Sequence, residues 1–81
     1  MDKQLVEIQV PDLGDIDRAV LVAWLVELGT QVDEGDDLLE IETDKATFVV
    51  PAPVCGVLRE TRVQPLEEIA MDSVLGTLEP V

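Results

Sequence analysis

Residues 19–42, AVLVAWLVELGTQVDEGDDLLEIE, can be laid on residues 56–79, GVLRETRVQPLEEIAMDSVLGTLE, without a gap. At this shift of 37 positions Val20 meets Val57, Leu21 meets Leu58, Val26 meets Val63, Leu38 meets Leu75 and Glu42 meets Glu79, while Val32 and Ile41 meet the similar Ile69 and Leu78. Such self-similarity means one supersecondary unit used twice. A unit of short strands cannot bury its apolar face alone, so the two copies are expected to pack face to face around one core.

The rest of the chain reads the same way. Val6, Ile8 and Val10 alternate with Glu7 and Gln9, the two-residue period of a half-buried strand, and Pro11 stops it. Asp12 to Arg18 reads as a loop. The apolar run from Ala19 to Leu28 has a length that also admits a helix, but the β-branched Val20, Val22 and Val26 and the lack of a capping residue favour a strand ending at Gly29-Thr30. Val32 leads into a turn at Asp33-Glu34-Gly35-Asp36. Further strands follow over 38–42, 46–50, 56–63 and 74–79, with Pro51-Ala52-Pro53 closing the second of them and a turn over 64–66 after the third.

The expectation is an all-β fold, a flattened barrel or sandwich of two four-stranded antiparallel sheets with an internal quasi-two-fold repeat. Strand 6–11 aligns with 46–51 at a shift of 40 instead of 37, which makes the loop after Pro11 three residues longer than its counterpart after Pro51. The repeat places that loop at the same end as residue 45 and both termini at the other end.

Eighty-one residues make one domain, drawn over 1–79 with Pro80-Val81 as the start of a linker, and Met1 fits a native N-terminus. Apolar residues are 47% of the chain but aromatics only 2%, so the core must be Val, Leu, Ile and Ala with Trp24 and Phe48 as its large rings, the Trp24 indole N–H needing a partner. The charge of −13 argues against nucleic acid, which needs clustered Lys and Arg, and makes basic protein surfaces the natural complement. The one cysteine, Cys55, cannot form an internal disulfide; with no histidine to activate it and apolar neighbours, it is expected to be a small buried filler. No apolar N-terminal run suggests a signal peptide or a membrane span, and a bacterial cytoplasm or mitochondrial matrix fits a monomeric domain of this kind.

One lysine stands out. In Glu42-Thr43-Asp44-Lys45-Ala46-Thr47-Phe48, Lys45, one of two lysines, falls between two strands, where a tight turn pushes its ammonium group into water and within reach of a modifying enzyme. Asp44 and Ala46 flank it, either as a turn former and the first inward residue of a strand or as residues a partner reads. Glu40, Glu42 and Asp44 alternate onto one face, and Asp12, Asp15 and Asp17 lie on the loop assigned to the same end, so that end is strongly acidic. With no histidine, no Ser-His or Cys-His pairing and no Gly-rich phosphate loop, the residues do not describe a catalyst. Asp33, Glu34, Asp36 and Asp37 fail as a calcium site because Gly35 breaks the ligand alternation and no bidentate Glu follows, so no metal is expected.

Pro11-Asp12-Leu13-Gly14, Trp24-Leu25-Val26, Glu42-Thr43-Asp44-Lys45-Ala46, Pro51-Ala52-Pro53 and Gly56 stand in the order found in lipoyl domains. The chain resembles these carrier modules of the acyltransferase components of 2-oxo acid dehydrogenase complexes over nearly its whole length. The resemblance implies a barrel-sandwich hybrid with lipoate in amide linkage to Lys45, a swinging arm that is reductively acylated and shuttles acyl groups between active sites. The partners implied are a 2-oxo acid decarboxylase, the acyltransferase domain of the parent chain, the flavoprotein dihydrolipoamide dehydrogenase and a lipoate-attaching enzyme. By the same resemblance Glu42, Asp44 and Ala46, with Asp12, Leu13, Gly14 and Asp15, would be read by those partners.

Alternatives remain at this level. A biotinyl carrier domain of a biotin-dependent carboxylase shares the scaffold but usually has Met on both sides of the lysine. The lipoylated carrier of the glycine cleavage system is typically longer, with extra helices. An unmodified interaction module would keep the scaffold without the arm. The sequence departs from the family at Leu66 and Asp72, where glycine is usual, which predicts local strain if those backbones need positive φ, and Pro65 suggests a changed turn type.

Overall fold

The period-two patterns become seven strands: β1 (Val6–Gln9), β2 (Ala19–Trp24), β3 (Gln31–Val32), β4 (Asp37–Thr43), β5 (Thr47–Pro51), β6 (Gly56–Thr61) and β7 (Val74–Pro80). The computed structural model describes residues 4–11, 18–70 and 73–81. One sheet has the order β1-β7-β6-β3 and the other β2-β4-β5, and every pairing is antiparallel. No helix of the described residues is long and apolar enough to cross a membrane.

The second sheet was expected to have four strands. Its fourth member shrinks to one bridge, Val20 with Glu68, flanked by the Ile69 N–H donating to the Ala19 carbonyl at 2.7 Å and the Leu66 N–H donating to Leu21 at 2.7 Å. This segment is the repeat's copy of β3, itself only two residues long, which pairs Gln31 with Val57 and Val32 with Gly56.

The repeat governs the registers. Ala19 faces Thr43 and Leu21 faces Ile41 between β2 and β4; Gly56 faces Pro80 and Leu58 faces Leu78 between β6 and β7, and each pairing carries one irregularity at the equivalent place, after Leu21 and after Leu58. The core is assembled from the same correspondences, with Leu21 and Leu58, Val32 and Ile69, Leu38 and Leu75, and Ile41 and Leu78 all buried. Burial of such a side chain stabilises by about 1.5–3 kcal/mol.

Several expectations are corrected. Ile8 faces Gly76 and Val50 faces Leu39, so β1 and β5 correspond at a shift of 42, from Ile8 to Val50, and not 40. The connection after β1 is therefore five residues longer than its counterpart, not three. Both shifts are even, and alternation alone cannot tell them apart, because only an odd slip moves side chains to the other face.

Strand β2 ends at Trp24 instead of running to Leu28; Leu25 and Leu28 are exposed as the chain turns through Glu27-Leu28-Gly29-Thr30. Likewise β6 stops at Thr61, short of Val63. Phe48 is only half-buried, and Trp24 packs on the core from its margin. Cys55 is exposed, not a buried filler: it lies in the bend before β6, where its carbonyl accepts from the Val81 N–H at 3.4 Å, and Val54 takes the inward position.

The turn at Gln64-Pro65-Leu66-Glu67 has not changed type. The Glu67 N–H donates to Gln64 at 3.0 Å as the Thr30 N–H donates to Glu27 at 3.1 Å, and φ is positive at both third positions, +70° at Leu66 and +87° at Gly29. Positive φ there is the mark of a type II turn, in which proline is favoured at the second position, so Pro65 belongs to it. The strain expected at Leu66 is present, of order 1 kcal/mol or more. Asp72 lies outside the described residues.

Candidate functional site

Strands β4 and β5 meet at a two-residue turn, Asp44-Lys45, after the ladder pairs Ile41 with Phe48 and Glu42 with Thr47. The Thr43 N–H donates to the Ala46 carbonyl at 2.8 Å. The Thr43 hydroxyl also donates to that carbonyl at 2.8 Å and accepts from the N–H groups of Lys45 at 3.2 Å and Ala46 at 3.0 Å. One side chain thereby binds the backbone on the far side of the turn, as serine and threonine do in side-chain-closed turns. Among the described residues Leu66 is the only non-glycine with positive φ, so Asp44 and Lys45 turn the chain without left-handed backbone.

Lys45 is exposed, and among the described residues its ammonium group has no ion-pair partner. Asp44 and Ala46 are exposed beside it; Ala46 precedes β5 and is not an inward residue. Glu40 and Glu42 face outward from β4, toward Ala23 and Val49 and toward Val20 and Thr47 respectively.

The molecule is 42 Å long and 20 Å across. The ends of β1 and β5 lie side by side, where Gln9, Val10 and Pro11 line a cleft with Val50, Pro51 and Pro53. Ala19, which opens β2, faces Thr43 beside the lysine turn, and its counterpart Gly56 faces Pro80. Val6, at the start of β1, pairs with Leu78 near the end of β7, in the sheet that does not hold the lysine hairpin. Arg18, the last residue of the long connection, reaches the lysine end and pairs its Nε with Glu68 at 2.8 Å. The predicted recognition residues Asp12, Leu13, Gly14 and Asp15, with Asp17, lie outside the described residues.

Sequence reasoning missed two features. One is Thr43, although a threonine at the first position of a turn is itself a signal of side-chain closure. The second is a groove of about 420 Å³ beside the turn, lined by Arg18, Val20, Val22, Glu42, Asp44 and Leu66 among others. Its residues come from three segments, and no single one shows it.

An exposed lysine at the tip of a core-held hairpin, on a two-fold β sandwich, is a geometry open to covalent attachment of a prosthetic group. The Biotin_lipoyl family model, described as "Biotin-requiring enzyme", matches residues 6–78, and the chain belongs to that family as a domain of the lipoyl type. It is 38% identical over 74 residues to the dihydrolipoyllysine-residue acetyltransferase component of the pyruvate dehydrogenase complex of Cupriavidus necator, covering 91% of this chain and 13% of that one. Similarity to the lipoamide acyltransferase component of the branched-chain alpha-keto acid dehydrogenase complex of Pseudomonas aeruginosa is 40% over 73 residues, covering 89% and 17%. Among solved structures, the lipoyl domain of the 2-oxoglutarate dehydrogenase complex from Azotobacter vinelandii superposes with a TM-score of 0.74 at 26% identity, covering 90% of this chain and 94% of that one. The chain thus spans less than a fifth of the curated relatives but nearly all of an isolated lipoyl domain.

Proposed function

We propose that Lys45 carries lipoate in amide linkage and that the domain is the swinging-arm carrier of a 2-oxo acid dehydrogenase complex, not itself a catalyst. The observation that carries this reading is the placement of Lys45, exposed at the tip of the β4–β5 hairpin on a turn closed by Thr43. When bound, a lipoyl group supplies a dithiolane that is reduced as it accepts an acyl group. The chain's own part is mechanical. The β4–β5 ladder and the Thr43 hydroxyl hold the attachment point rigid, and tethering within a larger chain would let the loaded tip visit separate active sites at roughly millimolar effective concentration.

The partners in this reading are a 2-oxo acid decarboxylase, an acyltransferase domain in the parent chain, dihydrolipoamide dehydrogenase and a lipoate-attaching enzyme, in a bacterial cytoplasm or mitochondrial matrix. Amide formation also removes the Lys45 cation from an end that carries Glu40, Glu42 and Asp44.

Expression with a lipoate-attaching enzyme and lipoate, followed by intact-mass measurement and peptide mapping, is expected to find one lipoyl group on Lys45 and none in Lys45→Arg. Modification by a biotin-attaching enzyme alone overturns the reading in favour of a biotinyl carrier.

A further inference from the structure

The groove of about 420 Å³ beside the lysine turn lies where the two halves of the molecule differ at equivalent positions. On the sheet of β6 and β7, Arg59 pairs with Glu79 at 2.6 Å, and the turn that bonds to Leu58 holds Gly29. On the sheet of β2 and β4 the equivalent places hold Val22, Glu42 and Leu66. Glu42 therefore has no cation partner among the described residues. With leucine in place of the glycine, an apolar side chain stands 83% exposed on a backbone at φ +70°.

Leu66 adds strain to the fold and gains almost no burial in return, and strained residues of this kind gather at functional sites. Whatever fills the groove sits against the residues that lead into the lysine turn, because Thr43 and Asp44 line it together with Val20, Val22 and Leu66. The group that Lys45 itself would carry has the right chemistry. The relatives are named for a dihydrolipoyllysine residue, and such a group is a hydrocarbon chain ending in two sulfurs and joined through an amide. Unmodified, Lys45 is a cation that water solvates well. Amide formation leaves a neutral arm with one N–H to donate and a length of apolar chain that gains by leaving water.

We propose that the groove seats the domain's own lipoyl arm, its hydrocarbon chain and dithiolane resting against Val20, Val22 and Leu66 while the carboxylates at the rim, Glu42 and Asp44, accept from its amide N–H. The proposal rests on the lipoyl-carrier reading above. Attachment favours it: a tethered group meets a neighbouring site at roughly millimolar effective concentration, so contacts too weak to hold the free compound hold the arm for part of the time. The arm then has two states, seated and swung out. Val22 and Leu66, the residues that set this face apart from its counterpart, govern the balance between them. An arm seated between visits to active sites keeps its apolar length out of water, and the shallow groove releases it readily because no part of it is enclosed.

The test compares nuclear magnetic resonance spectra of the unmodified and lipoylated domains, in the wild type and in Leu66→Gly and Val22→Arg. Both substitutions copy residues that the equivalent places of the fold already accommodate, Gly29 and Arg59. In the lipoylated wild type we expect the methyl signals of Val20, Val22 and Leu66 to shift and to show cross-peaks to the dithiolane protons, while those of Val57, the repeat's counterpart of Val20, stay where they are. Either substitution should remove the remaining cross-peaks and narrow the signals of the arm towards those of free lipoamide. Shifts confined to residues 43–47, with no cross-peak to Leu66, overturn the proposal. Cross-peaks to Val20 that survive both substitutions overturn it as well, because the arm then rests on something other than this groove. Intact mass is read first: a wild-type domain that is never lipoylated is a failure of the carrier reading, and the proposal falls with it before any spectrum is compared.

Discussion

Gly29 and Leu66 occupy the same position in two copies of one turn, at φ of +87° and +70°. Their surroundings match bond for bond. The Gly29 N–H donates to Leu58 at 2.8 Å and the Leu66 N–H to Leu21 at 2.7 Å, while Thr30 and Glu67 accept from Leu58 and Leu21 at 3.0 and 3.1 Å. The molecule therefore contains its own control for leucine in a left-handed backbone. Leu66→Gly relieves the strain and loses little burial, and the extra freedom of glycine in the unfolded chain takes back part of the gain, leaving about 0.5 kcal/mol of stabilisation. Gly29→Leu, with no atom crowding its added Cβ, should destabilise by about 1–2 kcal/mol through backbone strain alone. Urea midpoints of the two variants check both signs, and a Leu66→Gly domain clearly less stable than wild type refutes the argument.

That turn also shows what the sequence could and could not reveal. The repeat was legible because matched apolar residues, Leu21 with Leu58 and Leu38 with Leu75, fill one core from both halves. The register of β1 was not, since Ile8 reaches the core whether it answers to Phe48 or Val50, and only the pairing with Gly76 decides. Composition misled at Leu25, Leu28 and Cys55, because the bends on which they sit turn small or apolar residues to solvent. Lys45 and its turn were legible from spacing, whereas the groove needed Leu66 brought beside Val20 by hydrogen bonds between residues 45 positions apart in sequence, Leu21 and Leu66.

The Thr43 hydroxyl makes three hydrogen bonds across the lysine turn. Thr43→Val keeps the β-branch that suits a strand end and removes all three. Because the site is solvent-accessible, water replaces part of what is lost, so the global cost is about 1 kcal/mol. The local effect is larger. Amide exchange at Lys45 and Ala46 should accelerate well beyond the change at Ile41 and Phe48, and lipoylation should slow. Thr43→Ser, which retains the hydroxyl, should restore both, and failure of the serine variant to do so shows that the methyl group, not the bonding, closes the turn.

Thr77 is only 2% exposed and its Oγ1 is the one buried side-chain oxygen or nitrogen without a hydrogen-bond partner among the described residues. The repeat makes it the counterpart of Glu40, which is only half-buried at the equivalent place. A buried unpaired hydroxyl costs about 1–3 kcal/mol, and valine has nearly the same shape. Thr77→Val is therefore expected to raise stability by about 1 kcal/mol, read as a higher urea midpoint with an unchanged m-value. A lower midpoint would mean that the hydroxyl is satisfied in solution.

Trp24 fastens one sheet to the other. Its Nε1–H donates to the Val63 carbonyl at 3.0 Å, which meets the need for a partner expected of a partly buried indole. The ring also lies over Gly76 of β7, where an added Cβ would come within 3.2 Å of the indole and collide with the Glu60 carbonyl. Backbone cannot yield there as a flexible side chain can, so Gly76→Ala should cost about 2–3 kcal/mol, near the upper range for overpacking. Trp24→Phe leaves the Val63 carbonyl without its donor and loses ring area, for about 2 kcal/mol. If the clash is partly with the indole, the double variant should be less destabilised than the sum of the two by at least about 0.5 kcal/mol, the coupling expected of residues in contact. Strict additivity would place the whole cost of Gly76→Ala on the Glu60 carbonyl.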